Sequence, residues 1–329
     1  MVYDVLFYLR FILVGLGVPG NLLTILVASM RCNRKHTTSV YMIGMAVPDA
    51  VILLQEGIEG PMWRNEEASF WHSRELEFKF IYFITYAGAM TSGLNLAAMS
   101  VDRFIAIRYP IVAKRICTVT KAKTIVITTS VIVVTANVST FFCHKYVKDG
   151  ESGLEFLILS VPEHPHYEIL FTNFQMAFGS LIPSVVIIGS NIGIVLTVRQ
   201  ASKKRTKMGV NQERKGAKQE SQLTSMLIMV SIAYFVTTIP YRLFLAVFEI
   251  PEVTNLYNFN DSYWKGLFNV FDYLLYGIWL ANHTVNFYLY CLSGGKRYRK
   301  DTKTVLRMLL CKLHYGSPKD DSFSLCQRK

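Results

Sequence analysis

The sequence predicts an all-α integral membrane protein: a seven-transmembrane helix bundle followed by a C-terminal amphipathic helix. Three observations carry this expectation. Of 329 residues, 51% are hydrophobic and 18% are charged, against roughly 25% charged in an average soluble protein. Seven windows of twenty residues or so carry at most one Asp, Glu, Lys or Arg each, and about twenty apolar residues cross a bilayer. The segments between the windows alternate in charge. Aromatic residues make up 13% of the chain, too many for a disordered one.

The windows run in order. Residues 11–30 hold no charge, 37–55 only Asp49, and 80–101 and 124–143 none. Residues 169–198 are uncharged, 221–248 hold only Arg242, and 266–295 hold Asp272 besides His283. The expected spans are about 5–30, 38–58, 78–107, 122–143, 167–198, 221–248 and 266–292. Residues 296–313 follow as an amphipathic helix on the inner leaflet, with Val305, Leu306, Met308, Leu309 and Leu310 on one face and Lys and Arg opposite. Cys311 there is placed for palmitoylation or is a free interfacial thiol. Residues 314–329 are a short tail.

Orientation follows from the loops. Segments 31–39, 108–123, 199–220 and 296–329 sum to a net +21, and segments 56–79, 145–168 and 249–265 to −8. Basic loops stay cytoplasmic, so the N-terminus is expected outside and the C-terminus inside. The formal net charge of +12 is then a topology signal, and nucleic-acid binding is not needed to explain it. Residues 1–10 carry Asp4 and lack a basic start, so the first span is expected to act as its own insertion signal. Cys143 alone lies near the outer face, so no internal disulfide is expected. The sequon at Asn260 falls in an outer loop, open to glycosylation. His144, His164, His166 and Cys143 are spaced too loosely to read as a metal site.

Polar residues inside a bilayer are costly and tend to be functional. Asp49, Ser92, Asn282 and Asn286 lie mid-depth in spans two, three and seven. A carboxylate with hydroxyl and amide oxygens suits a sodium ion or ordered waters; the same set also reads as a hydrogen-bonded knot between helices. At the cytoplasmic face Asp102 and Arg103 end span three and Glu220 begins span six, where an arginine between carboxylates can lock two helices. Arg242 and Asp272 sit in the outer halves of spans six and seven. They either pair or meet a charged ligand. Tyr86, Tyr241, Tyr273, Tyr276, Trp279, Phe174 and Gln175 surround them, an aromatic wall with a few polar groups that describes a ligand pocket; tyrosine and tryptophan also belt membrane interfaces. Pro183 and Pro240 interrupt spans five and six and offer hinges.

Taken together these positions resemble the rhodopsin-like (class A) G-protein-coupled receptors. Gly20-Asn21 looks like the helix-one signature, Asp49 the helix-two aspartate, and Asp102-Arg103-Phe104 the DRY motif. Pro110-Ile111 resembles the loop-two motif whose residue after proline enters the G protein. Pro183 and Pro240 match the helix-five and helix-six prolines. Asn286-Phe287-Tyr288-Leu289-Tyr290 resembles NPxxY with phenylalanine for proline, and Tyr298-Arg299 the start of helix eight. Within the family the stretch NFYLYCLSG at 286–294, with Gln222-Leu223-Thr224 and Asn191, looks most like invertebrate FMRFamide-type peptide receptors. Thr85 and Leu280 stand where monoamine receptors carry aspartate and opsins lysine. Phe78, Ser130, Thr238 and Asn191 replace the family's outer-disulfide cysteine, helix-four tryptophan, toggle tryptophan and helix-five tyrosine.

The resemblance implies a plasma-membrane receptor, not an enzyme. Its extracellular ligand is expected to be a neuropeptide, with Tyr86, Gln175, Tyr241, Arg242, Asp272, Tyr276 and Trp279 as the contact set. Its partners are expected to be a heterotrimeric G protein, arrestin and membrane lipids. Span six would pivot at Pro240, Arg103 would leave Asp102 and Glu220, and Asn286 and Tyr290 would rearrange. Arg103 and Ile111 would then meet the G protein. A divergent chemosensory receptor, a non-signalling ligand-binding protein and a transporter remain as alternatives.

Overall fold

The computed structural model describes residues 2–64, 74–148, 155–159, 165–207, 215–248, 262–293 and 295–315. Helix one is Val2–Ser29, helix two Thr37–Arg64, helix three Arg74–Arg108 and helix four Val119–Asn137. Helix five runs through Pro165–Met176, a π turn at Ala177–Leu181, and Ile182–Lys207. Helix six is Lys215–Phe248, helix seven Ser262–Ser293, and the terminal helix Gly295–Tyr315. Two short helices, Pro110–Ile116 and Thr140–Cys143, flank helix four.

Proline opens Pro110–Ile116, where its missing N–H costs nothing. Thr118 caps helix four by accepting the Lys121 amide at 3.4 Å. Helix one packs on helices two and seven, helix three on two, four and five, and helix seven on six and one. Helices five and six approach less closely along their backbones.

The outer surface is inverted relative to a soluble protein. Helix four buries only Ala122, Val133 and Asn137 and exposes Ile125, Ile127, Val131 and Ile132. Helix five exposes Val185, Ile188, Ile192 and Leu196, and helix six Ile232, Val236 and Leu243. Such rows of exposed aliphatics are stable against hydrocarbon, not water.

Among the described residues, five helices are long and apolar enough to cross a membrane: Tyr8–Ser29, Thr37–Ile58, Val119–Phe142, Asn173–Lys203 and Thr224–Leu245. Helices three and seven are also long, at 35 and 32 residues, but more polar. The reason is their place. Ser92, Asn95, Ser100 and Asp102 on helix three, and Asn282, His283, Thr284 and Asn286 on helix seven, are buried against neighbouring helices. They meet protein rather than lipid.

Glycine permits the closest contacts. A Cβ on Gly17 would lie 2.5 Å from Leu53 Cδ1 and 3.1 Å from the Thr284 Cα, so helices one, two and seven meet at that point. A Cβ on Gly193 would lie 2.5 Å from the Phe104 ring, fixing helix five against helix three. Gly20 lies against Phe287, and Asn21 Nδ2 donates to the His283 carbonyl at 2.9 Å.

One departure from an all-helical chain appears in the segment 145–168, read above only as an acidic outer loop. Strand β1 (His144–Lys148) pairs antiparallel with β2 (Glu155–Leu159), with His144 opposite Leu159 and Lys148 opposite Glu155. The hairpin lies against helix three. Phe78, at the outer end of that helix, is 4% exposed, so an apolar ring packs where the family's disulfide cysteine stands. Cys32, Cys117 and Cys291 form no disulfide among the described residues; the Cys143 side chain lies outside them.

Candidate ligand pocket and cytoplasmic switch

The polar residues of the bundle form three levels. At the outer level the centre is Glu56 of helix two, its side chain 2% exposed and 3.8 Å from Arg10 of helix one. The Tyr276 hydroxyl donates to Glu56. The Arg10 guanidinium lies 4.6 Å over the Tyr276 ring and 5.2 Å over Tyr273, a cation–π arrangement that holds an arginine between aromatic faces. Asp272 is half-buried, and the cation it senses is Arg10. Arg10, Glu56 and Asp272 together place one guanidinium and two carboxyl groups at the mouth of helices one, two and seven.

An aromatic column descends from this cluster. Tyr241 and Tyr276 centroids are 5.5 Å apart, Tyr276 and Trp279 5.2 Å, and Trp279 and His283 4.8 Å. Across the bundle Tyr86 packs edge-on to Tyr82 and Phe171.

Two members of the expected contact set take other places. Trp279 is 3% exposed and packs among Ile52, Leu53, Ala89 and Leu280, in the core between helices two, three and seven. Gln175 donates from Nε2 to Asn137 Oδ1 at 2.6 Å, so it faces helix four, where a buried asparagine needs a donor. Arg242 and Asp272 do not pair either: Arg242 approaches helix five at Gly179.

At mid-depth Asp49, fully buried, has both oxygens engaged. His283 Nδ1 lies 2.7 Å from Oδ1, and Asn286 Nδ2 donates to Oδ2 at 3.0 Å. The expected oxygen set is not assembled. Asn282 Oδ1 accepts from Thr237 of helix six at 3.3 Å, and Ser92 is buried in helix three apart from these bonds. With N–H groups on both carboxylate oxygens, the arrangement does not fit a sodium ion at Asp49, which needs oxygen ligands.

At the cytoplasmic level Arg103 donates to Asp102 Oδ2 from Nη2 at 2.6 Å and from Nε at 3.2 Å. Its Nη2 also donates to Thr37 Oγ1 at 2.6 Å, and Thr37 donates to Asp102 at 2.8 Å. The triangle ties helix three to the start of helix two. Cys117 Sγ lies 3.7 Å from the Asp102 carbonyl, and burial, then the Asp102 charge, pushes its thiol up to about 11. Ile111 is 86% exposed on the inner loop. Tyr290 is 1% exposed and meets the Tyr298 ring of the terminal helix at 6.0 Å. That helix is tethered by Asn33 Nδ2, which donates to Asp301 at 3.0 Å. Glu220 belongs to helix six and Cys311 to the terminal helix, but their side chains lie outside the described residues, as does Asn260.

Four residues missed by sequence reasoning now belong to the site. Arg10 and Glu56 border charge-free windows and take no role from the sequence, Arg10 counting as an isolated charge and Glu56 with the outer segment 56–79. His283 reads as neutral within a window. Thr37 carries no distinguishing signal.

Among the described residues, seven long helices in a bundle, with an aromatic cluster at one end and a held arginine at the other, are the arrangement of a heptahelical membrane protein. Residues 20–290 match the model of the 7 transmembrane receptor (rhodopsin family), and the chain belongs to that family. It is therefore a multi-pass membrane protein. It is similar to the thyrotropin-releasing hormone receptors of Mus musculus and Homo sapiens, 30% identical over 116 residues, which is 35% of this chain and 29% of each receptor. The Gallus gallus receptor of the same name is 30% identical over 126 residues, 38% of this chain and 31% of the receptor. The chain thus matches under a third of these relatives' length.

Proposed function

We propose that this protein is a receptor for an extracellular peptide and signals through a heterotrimeric G protein. The observation that carries the reading is the held Arg103, bonded to Asp102 and Thr37 at 2.6 Å each, beneath a polar aromatic mouth at the opposite end of the bundle. Ligand contact at Asp272, Tyr86, Tyr241 and Tyr276 shifts the population towards a state in which helix six has pivoted at Pro240 and Arg103 is released. Asn286 and Tyr290 sit between the two ends and transmit the change. Glu220 at the base of helix six is the proposed second partner of Arg103. The likeness to peptide-hormone receptors supports a peptide ligand; the narrower likeness to invertebrate FMRFamide-type receptors rests on the 286–294 stretch alone. The N-terminus is outside and the C-terminus inside the plasma membrane, with arrestin as a second cytoplasmic partner, Asn260 a glycosylation site and the terminal helix on the inner leaflet with Cys311 its lipid-anchored thiol.

The test is nucleotide exchange on a purified G protein, with agonists drawn from a peptide-library screen. Asp102→Asn is expected to raise ligand-free exchange: about 1 kcal/mol removed from the held state shifts the balance roughly fivefold. Unchanged basal exchange rejects the lock. Ile111→Ala is expected to lower agonist-driven exchange severalfold at unchanged ligand affinity, because the residue is 86% exposed. A weakened affinity instead would place Ile111 in the receptor's own packing.

A second reading is a ligand-binding member that does not signal. It is favoured by Thr238, whose buried hydroxyl lacks a hydrogen-bond partner where the family carries an aromatic toggle. Peptide binding without exchange would establish it.

A further inference from the structure

Arg242 is the charge the bundle leaves unanswered. It sits two residues beyond Pro240 on helix six, and among the described residues no carboxylate pairs with it. Its Nε is buried without a hydrogen-bond partner. Asp272, the acid at similar depth, senses Arg10 instead. A guanidinium inside a membrane bundle keeps its charge at any accessible pH, so desolvating it without a counter-charge is costly. Something must compensate when the site is in use.

The surroundings are built for an oxyanion. Arg242 Nη2 would lie 3.7 Å from a Cβ on Gly179, so the guanidinium reaches the π turn of helix five. Gly179 is the residue whose carbonyl would bond the amide of residue 183 in a regular helix. Pro183 has no amide hydrogen, and the freed carbonyl takes the Tyr234 hydroxyl at 3.5 Å. Ser180 and Ser184, 2% and 6% exposed, bury hydroxyls that have no hydrogen-bond partner. Thr238, one turn below Arg242, adds a 3%-exposed hydroxyl that has no partner. One permanent cation and several hydroxyl donors therefore converge at a π turn, a feature that recurs at functional sites. Asp272, a half-buried carboxyl on helix seven, stands on the other side of the mouth.

We propose that Arg242 and the π-turn hydroxyls form a carboxylate subsite, so that the ligand is dipolar, its cationic end towards Asp272 and its carboxylate on Arg242. This rests on the peptide-receptor reading and specifies the chemistry of the same pocket. The carboxylate is either an acidic side chain or a free C-terminus.

Two measurements test it on the full-length receptor. In the first, purified receptor is heated with N-acetylphenylalanine or with N-acetylphenylalaninamide, at matched sodium and ionic strength. The acid is expected to raise the melting temperature and the amide not. Arg242→Gln removes the difference, and Arg242→Lys keeps part of it. Equal responses in the unaltered receptor, or a difference that survives Arg242→Gln, overturns the subsite. In the second, a peptide library is screened in acid and amide forms, each with Glu and Gln versions. Agonists bearing a carboxylate are expected to lose roughly tenfold or more in potency on Arg242→Gln, and their neutral counterparts little. Sensitivity to the C-terminal or to the Glu exchange tells which carboxylate is bound, and either supports the subsite. Peptide agonists indifferent to both exchanges and to Arg242 overturn the subsite while leaving a peptide receptor. Acid-selective stabilisation through Arg242 with no active peptide overturns the peptide reading while leaving the subsite.

Discussion

Replacing His283 with alanine is expected to cost about 3–5 kcal/mol of stability, from the void a buried ring leaves and the hydrogen bond a buried carboxyl loses. His283 and Asp49 are 1% and 0% exposed, with 2.7 Å between Nδ1 and Oδ1. Alanine leaves the Asp49 carboxylate with only the Asn286 amide and opens a void beneath Trp279, whose ring lies 4.8 Å from the imidazole. A melting curve of the purified receptor reads the loss directly. The double variant Asp49→Asn, His283→Ala should recover much of it, because no uncompensated acid remains; a double variant as unstable as the sum of the singles would mean that the pair is not coupled. The same geometry predicts that exchanging sodium for a bulky organic cation leaves ligand affinity unchanged in the unaltered receptor. A sodium-dependent affinity would show that the imidazole yields its place to the ion.

The second large effect is expected at Gly17. Alanine there already meets Leu53 Cδ1 at 2.5 Å and the Thr284 hydroxyl at 2.8 Å, and the Thr284 Cα at 3.1 Å leaves no side-chain rotation that resolves it. Valine forces helix one away from helices two and seven, at a cost of about 1–3 kcal/mol or more. The displacement reaches the Glu56–Arg10 contact as well, since both residues lie on these helices. Gly15→Ala is the internal control. Nothing lies within 4 Å of that position, and the change should be neutral or slightly stabilising through helix propensity, by about 0.5–1 kcal/mol. Surface expression and melting temperature of the two variants should diverge sharply. Equal behaviour would mean that the helix-one contact carries little of the bundle's stability.

Most of the architecture was legible because bilayers impose a coarse rule. A charge-free stretch of fixed length is readable without knowing any partner, and so is a loop rich in lysine and arginine. Asp49, Asn286, Asp102 and Arg103 were legible for the same reason: each is a polar group where hydrocarbon penalises one. What escaped depends on pairing. Glu56 and Arg10 stand at window edges with no partner visible in the sequence, yet the glutamate side chain is 2% exposed because the arginine and Tyr276 come to it. His283 is uncharged by convention, and only the distance to Asp49 reveals that it takes the place expected for a cation. Trp279 and Gln175 share the pocket's depth and residue type, but their direction is set by the neighbouring helix, which no periodicity reports. The β1–β2 hairpin is two five-residue strands, and an alternation that short is lost beside twenty-residue windows.

Helix six lies backbone-close to helix seven and meets helix five chiefly through side chains. Met226, Leu227, Val230 and Tyr234 share one buried core with Ile187 and Ile194 of helix five. Swinging the N-terminal half of helix six outward would strip that row from the core, while the Thr237–Asn282 bond would keep a pivot near mid-membrane. The apolar row that parts would meet lipid tails as apolar as itself, so the surrounding bilayer softens the cost of the swing.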